Sequence, residues 1–171
     1  MSRPIASVTP IGCSCGRVEM EASGDPILNA ACYCDDCQAG AHQIEGLAKA
    51  PRIMDPDGGT KLVLYRKDRI AVTKGAGPLT AYRLTRKTAT NRMVATCCNC
   101  AMTMTFTDRR HWVPVFRGRL KGPVPPLQMR ICTKFKPEGV RLSDDVPSYP
   151  GYPPVMMWKL VKAWVPMLIG R

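Results

Sequence analysis

Seven of the nine cysteines fall into three tight groups: Cys13/Cys15, Cys32/Cys34/Cys37 and Cys97/Cys100. Thiolates at such spacings are ligands for soft divalent metals, zinc first among them. Zinc takes four tetrahedral ligands in structural sites, and three protein ligands plus an open position in catalytic ones. The groups supply both numbers. Cys13 and Cys15, on a tight loop ending at Gly16, combine with Cys97 and Cys100 into a four-thiolate site. That site would tie the first strand to a late one, and closing so long a loop with a metal adds to folding stability. Cys32, Cys34 and Cys37 lie within one short turn, so all three can reach one metal. The fourth position is then left to solvent or substrate, and such a centre binds and activates an incoming thiol. The alternative is a second structural zinc whose fourth ligand is His42 or Asp36. Cys98 and Cys132 lack partners at ligand spacing and read as buried small hydrophobes. Cys98 also lies close enough to Cys100 to replace Cys97.

Thiol chemistry of this kind moves a proton. Cys34 is the candidate catalytic thiolate, with Asp36 and His42 (and, beyond them, Glu45) as the nearby candidates for general acid and base. The metal-free alternative is a redox sensor in which Cys98 or Cys132 acts as resolving thiol for the central group.

The cysteines read as reduced. Their number is odd, and residues two apart on an extended chain diverge rather than face each other for a disulfide. The segment Met1–Ile11 is polar, with no apolar run of signal-peptide length, so the expected location is cytoplasmic. No stretch is apolar enough for a membrane span; Val155–Ile169 is interrupted by Lys159, Lys162 and Pro166.

The formal charge is +12, and metal-bound thiolates would lower it without reversing its sign. A basic field attracts anions. The basic residues are scattered, however, and form no recognition helix or RNA-binding aromatic motif, so the reading is a solvated basic surface rather than a nucleic-acid interface. A non-catalytic zinc-stabilised module that meets a macromolecular partner through this surface is the second functional class.

The elements that must position the cysteines are mainly strands. Arg17–Ala22 alternates, with Val18 and Met20 on one face. Ile27–Cys34 is a second extended segment, and Cys34–Leu47 is a turn into a short helix with Asp35 or Asp36 as its cap. Asp55–Gly59 has turn chemistry. Strands are predicted over 61–65, 70–73, 79–85 and 92–96. Ala101–Thr107 alternates apolar residues with threonine, a period of two that suits a strand. A further short strand, Trp112–Phe116, is interrupted by Pro114. Gly118–Pro126 and Ser143–Pro154 are irregular, and a helix covers about 155–165. The fold class is mostly β with one or two short helices. One domain spans 1–171, with its core from about 12 to 152. Trp158 and Trp164 of the last helix can pack on the core or on a second subunit.

The cysteine order resembles that of the glutathione-dependent formaldehyde-activating enzyme family, which includes centromere protein V. The matching pieces are Gly12-Cys13-Ser14-Cys15-Gly16-Arg17-Val18, Cys32-Tyr33-Cys34-Asp35-Asp36-Cys37 and Cys97-Cys98-Asn99-Cys100, with an echo at Asp144–Gly151. The resemblance implies a β-tent-like, zinc-stabilised fold. It implies a structural zinc on Cys13, Cys15, Cys97 and Cys100, and a labile, functional zinc on Cys32, Cys34 and Cys37. It also implies carbon–sulfur lyase chemistry: reversible addition of a small thiol, glutathione, to a small aldehyde. Ala101 and Gln38 stand where the family usually has glycine and a basic residue. Asp35 and Asp36 would repel an acidic tripeptide unless arginines or lysines outweigh them.

Overall fold

A computed structural model describes residues 7–168. Residues 1–6 and 169–171 lie outside it, and with them the ends of the 1–171 domain reading and part of the polar stretch Met1–Ile11. Among the described residues the chain forms ten strands and two α-helices, a mostly β fold. No helix among them is long and apolar enough to cross a membrane.

Strand β1 (Val8–Gly12), β2 (Glu19–Ser23) and β5 (Ile70–Lys74) form a small antiparallel sheet in the order β1-β2-β5. The larger sheet has the order β10-β3-β4-β9-β8-β7-β6. Its strands are β3 (Leu28–Cys32), β4 (Thr60–Arg66), β6 (Leu79–Tyr82), β7 (Thr90–Ala95), β8 (Cys100–Phe106), β9 (Trp112–Phe116) and β10 (Met129–Ile131). All its pairings are antiparallel except β10 with β3. Helix α1 (Asp35–Glu45) follows β3, and α2 (Pro154–Leu168) closes the described chain.

The large sheet is covered on both faces. On one, Val63, Tyr65, Met102 and Val115 pack against Ile11, Val18, Met20 and Ala22 from the small-sheet side. On the other, Leu62, Leu64, Val94, Met104 and Phe116 pack against Ile44 of α1 and Met156 and Leu160 of α2. Each such aliphatic side chain contributes roughly 1.5–3 kcal/mol when fully buried.

A bulge sets the faces of β8. Met93 pairs with Thr103 but Val94 pairs with Ala101, so Met102 is extra. Met102 therefore points to the small sheet while Met104, two residues on, points to the helices. The alternation of threonine with apolar residues consequently does not mark a solvent face: Thr103 is as buried as its neighbours.

Several expected boundaries change. Strand β1 escapes the pattern because it contains Pro10; it is an edge strand, where a missing N–H is tolerated, and the Pro10 carbonyl accepts from Lys121 N at 2.8 Å. Strand β9 runs unbroken through Pro114, and its ladder to β8 shrinks to Thr103↔Val115. Three-residue β10 is too short to show a period. The cap of α1 is Cys34, not Asp35 or Asp36; both aspartates lie in the first turn, where the helix dipole favours their charge. Helix α2 continues through Pro166 to Leu168. Its Met156 and Leu160 are buried, whereas Trp158 is 67% exposed and Trp164 44%.

Candidate metal centres

The first centre joins two turns. After β1 the chain reverses through Cys13-Ser14-Cys15-Gly16, with Gly16 N donating to Cys13 O at 3.2 Å and Gly16 at φ +72°, a conformation glycine takes freely. Val18 N donates to Cys13 Sγ at 3.3 Å. Opposite lies the β7–β8 turn, Thr96–Asn99, with Asn99 left-handed at φ 50°. The sulfurs of Cys13 and Cys15 are 3.6 Å apart, Cys13 and Cys97 3.9 Å, and Cys15 and Cys97 3.3 Å. Sulfurs around one tetrahedral zinc stand about 3.8 Å apart, given zinc–sulfur bonds of about 2.3 Å. The donor set fits a metal.

The fourth sulfur gathered here is that of Cys98, and all four lie within 4.8 Å of one another. Cys100, expected in this role from its C-x-x-C spacing, lies outside that group. Its buried Sγ accepts from Arg119 Nη1 at 2.6 Å and from Ser14 Oγ at 3.6 Å. Burial works against ionisation of Cys13, but hydrogen bonds from Val18 N and Cys15 prevail and bring its thiol down to about 6. Burial, then hydrogen bonds from Cys15 and Cys13, hold Cys97 up at about 12.

The second centre is built by the step from β3 into α1. Cys32 ends the strand, Cys34 caps the helix and Cys37 closes its first turn, with Cys37 N donating to Cys34 O at 3.0 Å. The three sulfurs lie within 4.8 Å of one another. Hydrogen bonds from Cys32 and Cys37 bring the Cys34 thiol down to about 3, while the thiol of Cys32, bonded to Cys132, Cys34 and Cys37, is pushed up.

Arg92 supports this centre from β7. It is 1% exposed, and its Nη2 donates to the carbonyl of Asp36 in the first turn of α1. Its positive charge adds to the lowering of the Cys34 thiol, which hydrogen bonds from Cys32 and Cys37 dominate, and partly offsets the rise of the buried Cys37 thiol.

Cys32, Cys34 and Cys37 line a cavity of about 450 Å³. Its walls are mainly carbon, from residues such as Leu62, Met104, Trp112, Met156 and Leu160, with Arg92, Arg110 and Tyr152 as polar members. A second cavity of about 450 Å³, between Arg52–Pro56 and Phe116–Leu120, contains no cysteine.

The acid–base candidates separate. Asp36 is exposed and lines the cysteine cavity. His42 is exposed and is not among its lining residues. Glu45 is a loop anchor: its Oε1 accepts from Ile53 N and Met54 N, each at 2.8 Å. The sequence reading missed Arg92, whose alternating strand neighbours carry no sign of function; Cys132, read as a buried small hydrophobe or a resolving thiol, is buried, and the fold places it beside Cys32.

Among curated proteins nothing matches this chain. The crystal structure of a Rhodobacter sphaeroides protein is similar to it at 18% identity and a TM-score of 0.46, covering 81% of this chain and 98% of that one. Residues 5–120 match the model of DUF6151, a family of unknown function, and the chain belongs to that family.

Proposed function

We propose that this chain is a two-centre zinc–thiolate protein with carbon–sulfur lyase-type activity, as in the formaldehyde-activating enzymes it resembles. Cys13, Cys15 and Cys97 hold a structural metal. Their fourth partner is Cys98, by proximity, or Cys100, by spacing; metal content of Cys98→Ser and Cys100→Ser assigns it. Cys32, Cys34 and Cys37 hold the functional one. The observation that carries this reading is that the second group of cysteines opens onto a cavity large enough for a small thiol and aldehyde. A purely structural cluster has no use for such a space.

Zinc bound there would keep an incoming thiol as its thiolate. The chain's own residues supply the setting. The mainly apolar walls offer water few partners, which strengthens electrostatics beside the cysteines. Arg92 offsets the negative charge of the cysteines, and together with Arg110 it counters Asp35 and Asp36 toward an acidic thiol such as glutathione. In the synthetic direction the thiolate sulfur attacks the carbonyl carbon and the carbonyl oxygen takes up a proton. Asp36, exposed at the cavity edge, exchanges that proton with solvent.

The test is elemental analysis of wild type and Cys34→Ser beside thermal melts, followed by an assay of adduct formation from glutathione and formaldehyde. Two metals in wild type and one in the variant, with a small change in melting and loss of turnover, support the reading. A variant that unfolds, or one that keeps both metals, defeats it.

A further inference from the structure

Strand β10 runs parallel to β3 with Ile131 opposite Cys32, so the residue after Ile131 leaves the sheet beside the second centre. That residue is Cys132. On an extended chain consecutive side chains point to opposite faces. Cys132 instead turns left-handed, at φ 58°, and both it and Ile131 join the core cluster on the helix side of the sheet. This conformation is disfavoured for a residue with a Cβ. Two hydrogen bonds hold it: Cys132 N to Gly151 O at 3.3 Å and Phe135 N to Cys132 O at 3.1 Å. The outcome is a thiol only 3% exposed, hydrogen-bonded to the thiol of Cys32 and the hydroxyl of Tyr152.

We propose that Cys132 is the fourth thiol of the second centre, completing Cys32, Cys34 and Cys37 into a four-cysteine metal site in the resting protein.

A second observation supports a negatively charged centre at this place. Arg92 is buried, and its Nη1 has no hydrogen-bond partner among the described residues. A buried guanidinium with an unused donor is costly unless negative charge stands close by. Four thiolates on a divalent metal carry two net negative charges, so this centre supplies it. Of the other candidates for the fourth place, His42 does not line the cavity that Cys32, Cys34 and Cys37 share, and Asp36 lines it as an exposed residue, whereas Cys132 is buried.

The Cys132 sulfur is not among those gathered within 4.8 Å, so ligation requires it to move toward the other three. That makes it the ligand most easily exchanged, and here the inference rests on the proposed thiol chemistry. An incoming thiol gives its proton to Cys132, which leaves as a neutral thiol toward Tyr152; charge balances and no oxidant is needed.

Cadmium NMR of the fully exchanged full-length protein tests this, because the shift reports how many sulfurs surround the metal. Wild type should show two resonances, both in the four-sulfur range. In Cys132→Ala and in the nearly isosteric Cys132→Ser, one should move upfield while the other, from the Cys13 centre, stays and confirms folding. Added mercaptoethanol should return the shifted resonance toward its wild-type position in Cys132→Ala. Two unmoved resonances overturn the assignment of Cys132 alone. A single resonance in wild type overturns the reading beneath it, that the Cys32 group holds a metal.

Discussion

Gly40 leaves room for Arg92: a Cβ on Gly40 would fall inside the contact distance of Arg92 Nε and Cζ, and 2.7 Å from Nη2. The guanidinium therefore lies against the backbone of α1, where it reaches the Asp36 carbonyl. Gly40→Ala should cost about 1–3 kcal/mol, as overpacking does, although alanine is the better helix former. The check is a double-mutant cycle by thermal or denaturant melts. In an Arg92→Ala background the Gly40→Ala penalty should shrink or reverse; an unchanged penalty would show that the two residues do not clash.

The first centre should be the main stabiliser of the fold's N-terminal side. Cys15 is exposed, so its packing contributes little, yet its sulfur meets that of Cys97 across 82 residues of sequence. Cys15→Ser should lower the melting temperature by more than about 5 °C, a shift that several kcal/mol of metal-linked stability would give. A strong chelator should produce a comparable fall in wild type. Melting temperatures of both proteins with and without chelator, read against metal content, check this.

Acid should loosen the docking of α2. His111 Nε2 lies 2.8 Å from the Leu160 carbonyl, and its ring stacks on Trp164. Burial holds the imidazole below its ordinary 6.5, the Leu160 carbonyl pulls it up, and the charges of Lys67 and Arg66 press it down further. The folded state thus binds its proton less readily than the unfolded chain. The stabilisation is complete above 6.5 and falls as pH drops through that value toward the lower folded one. Melting temperatures from about pH 7.5 to 5.5 should fall more steeply for wild type than for His111→Gln, by up to about 2 °C. Parallel curves would remove His111 from the account.

How much of this was legible in the sequence depends on the range of the interaction involved. The cysteine spacings pointed to the groups because C-x-C and C-x-x-C are local geometry, although the fold gathers Cys98 where the spacing pointed to Cys100. Alternation placed β2 and β8, and runs of strand-forming residues placed β4 and β7, because both signals are also local. Cys34 as helix cap was missed in favour of aspartates with better cap chemistry; here the strand-to-helix junction, not propensity, set the first helical residue.

The sequence by itself determined that this is a mostly β chain whose thiols stand at spacings that could hold a metal. Only the tertiary structure decided which sulfurs meet. Cys98 or Cys100, the burial of Arg92 against Gly40, the cavity beside Cys37, and Cys132 beside Cys32 all depend on segments far apart in the chain. Their placement follows from sheet order, from the bulge at Met102 and from one left-handed residue after β10, none of which a local pattern encodes.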